Sequence, residues 1–110
     1  MAMLGWSADL GDPDNFLYFL LSKSSAEKPA GNIAFYRSDE MQNALEQARA
    51  TTDREKRVAL YQKAQQIFHK DVPWVPLAHA QRILVINRKV KNLKFHPLTS
   101  KYFRQIWIEE

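Results

Sequence analysis

Residues 5–15 of this chain bring together residue types that could bind a ligand. In the order GWSADLGDPDN they include two glycines, a tryptophan and three carboxylates. From residue 1 to residue 22 the chain has no lysine or arginine to neutralise these acids, so the segment concentrates negative potential. The acids could be metal ligands, a substrate-binding cluster, or plain loop and cap residues.

Asp12 and Asp14 have a structural explanation. Asp12 is typical of a helix N-cap, Pro13 suits the first helical position, and Asp14 would lie in the first turn, where the helix dipole favours an acid. A calcium loop of the EF-hand type does not fit, because it needs glycine where Asp14 stands and glutamate where Leu20 stands. We therefore predict no metal site here.

Asp9 has no such structural role. It follows Trp6 by three residues, and the small Ser7 and Ala8 between them leave both larger side chains accessible. A carboxylate beside an indole suits a cationic ligand, because the acid accepts charge-assisted hydrogen bonds and the ring adds cation–π attraction and excludes water. Asp9 is thus a candidate ligand residue, whereas Trp6 is also explained as a core residue.

The remaining polar residues do not indicate catalysis. His69, His79 and His96 are scattered, and no pair has the i, i+4 spacing of a helical zinc site. The chain has no cysteine, which excludes disulfides and thiolate metal sites, and it has no nucleophile elbow, phosphate-binding glycine loop or acid/base pair. We expect a protein that is not an enzyme and has no cofactor.

The C-terminal third is basic and aromatic. From residue 72 to residue 108 it has seven basic residues and no acid. The basic residues are Arg82, Arg88, Lys89, Lys91, Lys94, Lys101 and Arg104, and the aromatic ones among them are Phe95, Tyr102, Phe103 and Trp107. This composition suits a small nucleic-acid or polyanion-binding module, whose binding would weaken steeply with salt. Strands with apolar residues inward and cations outward give the same composition, and we favour that interpretation.

Length and hydrophobic pattern predict the elements that position these residues. The 110 residues, 45% of them apolar and with a net charge of +4, indicate one folded domain or part of a larger one. The longest apolar runs are far shorter than the roughly 20 residues of a membrane helix. No signal peptide is visible at the start, which predicts a cytoplasmic protein or a targeting segment elsewhere.

The first part of the chain predicts a strand and three helices. Residues 1–6 predict a short buried strand, Pro13 to Leu21 a buried helix of about two turns, and residues 22–33 a surface loop. A second helix should begin at Ser38, and a third should run from the capping box at residues 52–55 to about Lys70. The apolar positions of these two helices keep helical spacing: Met41, Ala44, Leu45 and Ala48, then Val58, Tyr61, Ala64, Ile67 and Phe68.

The second part predicts short extended segments. Pro73 should end the third helix, and residues 74–80 suit an edge strand or an extended crossover. Residues 83–86 are typical of a strand buried on both faces. Leu93 with Phe95, and then residues 102–108, predict two more short strands. The order indicates an α/β fold, cut from something larger.

The opening residues resemble a segment near the C-terminal end of the dipeptide- and oligopeptide-binding proteins of ABC importers, the family 5 extracellular solute-binding proteins. The motif is Trp-x-x-Asp followed by Asp-Pro-Asp, at residues 6–14, a combination that is hard to reach by chance. The likeness continues at residues 48–52, 57–58 and 60–65, in the PWVPL crossover at residues 73–77, and in the last strand at residues 103–108. It covers essentially the whole chain.

The resemblance implies a non-catalytic receptor. The chain would be about the last fifth of a bilobed periplasmic-binding-protein (class II) fold, with residues 1–79 in the second lobe and residues 80–110 crossing the hinge and returning to the first. The lobes of that family close over a short peptide, so that Asp9 would pair with its α-amino group and Trp6 would line the pocket. The implied partners are a short peptide and a membrane permease, and the implied location is periplasmic, or extracellular and membrane-anchored.

Two departures from the family pattern matter. A related dipeptide binder would carry a disulfide after the first helix, and the basic group that fixes the peptide carboxylate should lie upstream of this chain. A charge-assisted pair contributes about 1.5–3 kcal/mol, well short of the roughly 8 kcal/mol of micromolar binding. We therefore expect the chain alone to bind weakly and to self-associate through unpaired edges. A nickel-chelate, haem or antimicrobial-peptide cargo stays open.

Overall fold

The computed structural model describes residues 3–79, 81, 83–94, 96 and 103–110. The chain divides into two compact units, Met1–Val75 and Pro76–Glu110. The first unit contains three helices, α1 (Asp14–Leu21), α2 (Asp39–Ala50) and α3 (Arg54–Asp71). The second contains two antiparallel strands, β1 (Val90–Lys91) and β2 (Trp107–Ile108), with Val90 opposite Ile108.

The start of α1 differs from the prediction by one residue. Asp14 is the first helical residue, and Pro13 precedes it with helical dihedrals. The Asp12 carboxylate still caps this end, because its Oδ1 accepts a hydrogen bond from the Asp14 N–H at 2.8 Å. The predicted burial of the helix is wrong, since only Leu21 is fully buried and Phe19 is 40% exposed. Leu17, Tyr18 and Leu20 are partly buried and pack against the core.

Helix α2 agrees with the sequence prediction. The Ser38 hydroxyl accepts a hydrogen bond from the Met41 N–H at 3.2 Å and so caps the helix. All four predicted apolar positions are buried against α3 and the end of α1: Met41, Ala44, Leu45 and Ala48. This helix forms the centre of the hydrophobic core.

Helix α3 differs at its first turn. The cap is Asp53 rather than the Thr52 of the predicted capping box, and its carboxylate accepts from the N–H groups of Glu55 and Lys56 at 3.0 and 3.2 Å. Tyr61, Ala64 and Ile67 are buried and Phe68 packs against the core, as predicted. Val58 is 48% exposed, whereas the neighbouring Arg57 is partly buried and donates to the Ala48 carbonyl.

Two predicted buried strands are wrong. Residues 3–6 form no strand, and Met3 and Leu4 are 83% and 68% exposed, while Met1 and Ala2 lie outside the described residues. Residues 83–86 are also exposed and outside any strand. A strand needs a partner for its ladder, and within the described ranges no segment pairs with either run.

The other C-terminal predictions are met in part. Residues 74–79 form neither helix nor strand, which fits the extended crossover and not the edge strand, and Ala80 is outside the described residues. Leu93 is outside the two strands and Phe95 is not among the described residues. Strand β2 lies within the predicted residues 102–108, of which Tyr102 is undescribed. Within the described parts of the chain, every helix is too short or too polar to cross a membrane. Self-association stays a prediction.

Candidate ligand-binding site

Two of the three acids in residues 5–15 are paired with arginines from other helices. Arg57 Nη2 of α3 lies 2.8 Å from Asp12 Oδ1, and Arg49 Nε of α2 lies 3.3 Å from Asp14 Oδ1. The Arg49 guanidinium also stacks over the ring of Tyr18 at 4.0 Å. The expectation of an uncompensated acidic cluster is therefore wrong for Asp12 and Asp14.

Arg57 is the centre of a network that holds the start of α1. It donates to the Asp12 carboxylate, to the Tyr61 hydroxyl at 3.0 Å and to the Ala48 carbonyl at 3.0 Å. The hydrogen bond from Arg57, helped by that from the Asp14 N–H, lowers the pKa of Asp12, and the same pair raises the pKa of Arg57. Burial raises the pKa of the Tyr61 hydroxyl. The network links α1 to the end of α2 and the start of α3.

The Asp12–Arg57 pair predicts an acid-sensitive contribution to stability. Because the pKa of Asp12 is lowered from 3.8 in the folded chain, its contribution is present at neutral pH and is lost as pH falls through that lowered pKa. Asp12→Asn should therefore make the free energy of unfolding fall less steeply below about pH 4. The effect should be small, because both side chains are partly exposed.

Urea unfolding of the chain at neutral pH and at successive acidic pH values measures this difference. Glu27→Gln is the matched control, because Glu27 is exposed and its side chain has no partner among the described residues. If the two variants show the same acid dependence, the pair does not stabilise the fold.

Asp9 differs from the other two acids. It is exposed, and no side chain in the described ranges forms a hydrogen bond or ion pair with its carboxylate. Its main-chain N–H, by contrast, is held by Asn15 Oδ1 at 2.9 Å. The backbone of Asp9 is therefore fixed while its carboxylate remains available to a ligand.

Trp6, three residues before this acid in the sequence, has a defined orientation. Its ring stacks on Phe19 of α1 with 4.5 Å between the ring centroids and 22° between the planes, and its Nε1–H donates to the Asn15 carbonyl at 3.2 Å. It is 39% exposed and lies outside the buried core of the chain. Gly31 lies against the Phe19 ring, and a Cβ there would overlap it, so the absence of a side chain permits this packing.

Sequence reasoning missed three contributors to this arrangement. They are Asn15 at the end of the motif, Phe19 within the helix predicted to be buried, and Arg57 near the start of α3. Each acts through a contact with a distant residue, so periodicity and capping patterns carry no signal for it. The Asp9 and Trp6 hypothesis is untested by these contacts and stays a prediction.

The basic C-terminal stretch is partly neutralised and is only partly described. Lys91 Nζ lies 2.7 Å from Glu109 Oε2, and the Glu109 N–H donates to the Lys89 carbonyl at 2.8 Å. Arg82, Lys101, Phe95 and Tyr102 lie outside the described residues. Among those that are described, no group of three histidine, aspartate or glutamate side chains could hold a metal ion.

The loop before α1 thus carries an exposed acid whose carboxylate has no partner among the described residues, three positions along the chain from an indole held in a defined orientation. Comparison with known proteins finds similar sequences and a similar solved structure. No protein-family model matches the chain. The chain is 35% identical over 109 residues to di/tripeptide-binding protein 2 of Pseudomonas aeruginosa, covering 99% of the chain and 20% of that protein.

Two further relatives are also named as binding proteins. The dipeptide-binding protein of Escherichia coli is 35% identical over 107 residues, covering 97% of the chain and 20% of that protein. Heme-binding protein A of Haemophilus influenzae is 39% identical over 89 residues, covering 81% of the chain and 16% of that protein. The nucleic-acid alternative is not favoured, because these names refer to peptides or haem.

A solved structure is similar in fold as well as in sequence. It is the ABC transporter-associated periplasmic binding protein DppA from Helicobacter pylori in complex with the peptide STSA, with a TM-score of 0.79 and 41% identity over 96% of this chain and 21% of that one. The chain fits a fragment of a dipeptide- or oligopeptide-binding protein, a family 5 solute-binding protein, as its motif predicted. It spans about a fifth of the length of the relatives it matches.

Proposed function

We propose that this chain is part of the substrate-binding component of an ABC peptide importer, and that Asp9 binds the α-amino group of a short peptide beside Trp6. The observation that carries the proposal is the pairing of the acids. Arg57 forms a hydrogen-bonded ion pair with Asp12, and Arg49 Nε lies 3.3 Å from the buried Asp14 Oδ1 without a hydrogen bond. The exposed Asp9 carboxylate has neither kind of partner among the described residues.

The chemistry of the site fits a protonated amine. An ammonium group donates up to three hydrogen bonds, and a carboxylate accepts them with the added attraction of opposite charge. The indole of Trp6 offers a π face and an apolar wall beside the same cation, which strengthens the pair by displacing water. No bond is made or broken in such binding, so the role is non-catalytic.

The rest of the binding free energy must come from outside this chain. One charge-assisted hydrogen bond contributes about 1.5–3 kcal/mol, whereas micromolar binding needs about 8 kcal/mol. We therefore assign the peptide carboxylate and side chains to other parts of the complete receptor. A bilobed class II fold supplies them by closing a second lobe over the peptide.

Within that fold we assign residues 1–79 to the second lobe and residues 80–110 to the hinge crossover and the return to the first lobe. The division of the chain into a helical unit and a hairpin unit supports this assignment. The relative names support a periplasmic location, with an extracellular membrane-anchored one as the alternative. A membrane permease is then the partner that receives the peptide.

Changing the ligand tests the function directly. The complete receptor should be titrated calorimetrically with di-, tri- and tetrapeptides and with the same peptides N-acetylated. Acetylation removes the positive charge, so it should weaken binding by about ten- to a hundredfold.

A peptide amidated at its C-terminus is the matched control. It removes a charge at the other end and should leave the preference for a free amine unchanged. Equal affinity for acetylated and free peptides would contradict the amine-binding role, and tight binding of haem with no peptide binding would contradict the cargo assignment.

A further inference from the structure

We propose that Asn15 is the positioning residue of this site, holding the acid and the aromatic wall in one geometry. The effect of Asn15 on peptide binding rests on the proposed function. Its hydrogen bonds to Trp6 and Asp9 do not. Asn15 was not itself a candidate from sequence. It bonds the two candidate ligand residues through two different polar groups.

The contacts are a side-chain bond and a main-chain bond. The Asp9 N–H donates to Asn15 Oδ1 at 2.9 Å, and the Trp6 Nε1–H donates to the Asn15 carbonyl at 3.2 Å. Residues 3–11 contain no helix or strand. Among the described residues, these two hydrogen bonds and the stacking of Trp6 on Phe19 are what fix this segment.

Asn15 is itself held firmly. It is half-buried in the first turn of α1, and its N–H donates to the Asp12 carbonyl at 3.2 Å. That turn is fastened to the core helices by Arg57 on Asp12 and by Arg49 beside Asp14. The core formed by α2 and α3 thus fixes α1, and α1 fixes the loop that carries Asp9.

An aspartate at the end of a free loop would lose conformational freedom when it bound a ligand, and affinity would fall accordingly. The bond from Asn15 to the Asp9 main-chain N–H removes part of the backbone freedom in advance. Because the bond to the Asp9 amide is made by the side chain, truncating Asn15 frees Asp9 while leaving the carbonyl for Trp6. A net hydrogen bond corresponds to about a fivefold change in the local equilibrium.

Asn15→Ala in the complete receptor tests the proposal. Hydrogen–deuterium exchange, followed by mass spectrometry on overlapping fragments that contain Asp9, should show about fivefold faster exchange at that amide without peptide. Asn15→Asp keeps an acceptor of the same length and should restore the slow exchange. Asn43→Ala is the control, because Asn43 is exposed on α2 and has no partner within the described residues.

Peptide titrations give the second readout. Asn15→Ala should weaken a free-amine peptide about fivefold and leave its N-acetylated form almost unchanged, a ratio that general loss of stability would not alter. Unchanged exchange at Asp9 overturns the positioning role whether or not the receptor binds peptides. The positioning role is also overturned if Asn15→Ala shows faster exchange but the native ratio of free-amine to acetylated affinity, while Asp9→Asn does lose affinity. If Asp9→Asn loses none either, the proposed function fails while the structural role of Asn15 is supported.

Discussion

Replacing Asp9 by asparagine should weaken the binding of a free-amine peptide to the complete receptor by about ten- to a hundredfold. Asparagine keeps the shape and hydrogen-bonding length of aspartate but removes its charge, so the loss reports the charge-assisted part of the contact. The fold should be unaffected, because the Asp9 carboxylate has no partner among the described residues. Only its main-chain N–H takes part in the loop geometry.

A double-mutant cycle with the ligand sharpens this result. If Asp9 and the α-amino group contact each other, acetylating the peptide should lower its affinity for the native receptor by about ten- to a hundredfold. The same acetylation should change the affinity for Asp9→Asn only slightly. Calorimetry with both peptides and both proteins gives the four values. Additive losses would show that the amine is bound elsewhere, and Glu27→Gln controls for the loss of one exposed negative charge.

Leu45→Ala should lower the free energy of unfolding of the 110-residue chain by about 2–5 kcal/mol. Leu45 is fully buried in the core cluster of α2 and α3, so its truncation leaves a cavity as well as removing apolar contact. The loss is large beside the about 5–15 kcal/mol that a whole domain has. Urea unfolding followed by circular dichroism measures it.

Two other substitutions make the result interpretable. Leu45→Met keeps most of the volume and should cost less than about 1.5 kcal/mol. Leu4→Ala removes the same atoms at a position that is 68% exposed, and its effect should stay within about 0.5 kcal/mol. A loss in Leu45→Ala no larger than that in Leu4→Ala would show that the helices do not pack as described.

Local sequence signals predicted the helices well. Helix α2 follows from a capping serine and from apolar residues at helical spacing, and both act within a few residues of each other. The motif at residues 6–14 likewise indicated the family and singled out Asp9 and Trp6. The start of α3 was misassigned because Asp53 and Thr52 are both good caps, and only the geometry of the turn selects between them.

Contacts between distant segments could not be predicted in this way. The apolar runs at residues 3–6 and 83–86 look like buried strands, but a strand exists only where another segment supplies its hydrogen bonds. The bond from Arg57 to Asp12 has the same character. It joins α3 to the segment before α1 across 45 residues of sequence, which the periodicity of α3 does not encode.

The amino-acid sequence by itself determined the presence of three acids close to a tryptophan in the chain, the helices that follow them and the family of which the chain fits a fragment. Only the tertiary structure decided which acid stays available. Packing of α2 and α3 against the start of α1 brings Arg49 to Asp14 and Arg57 to Asp12. Ion pairs depend on distance in space, not along the chain, and among the described residues the fold brings no cation to Asp9.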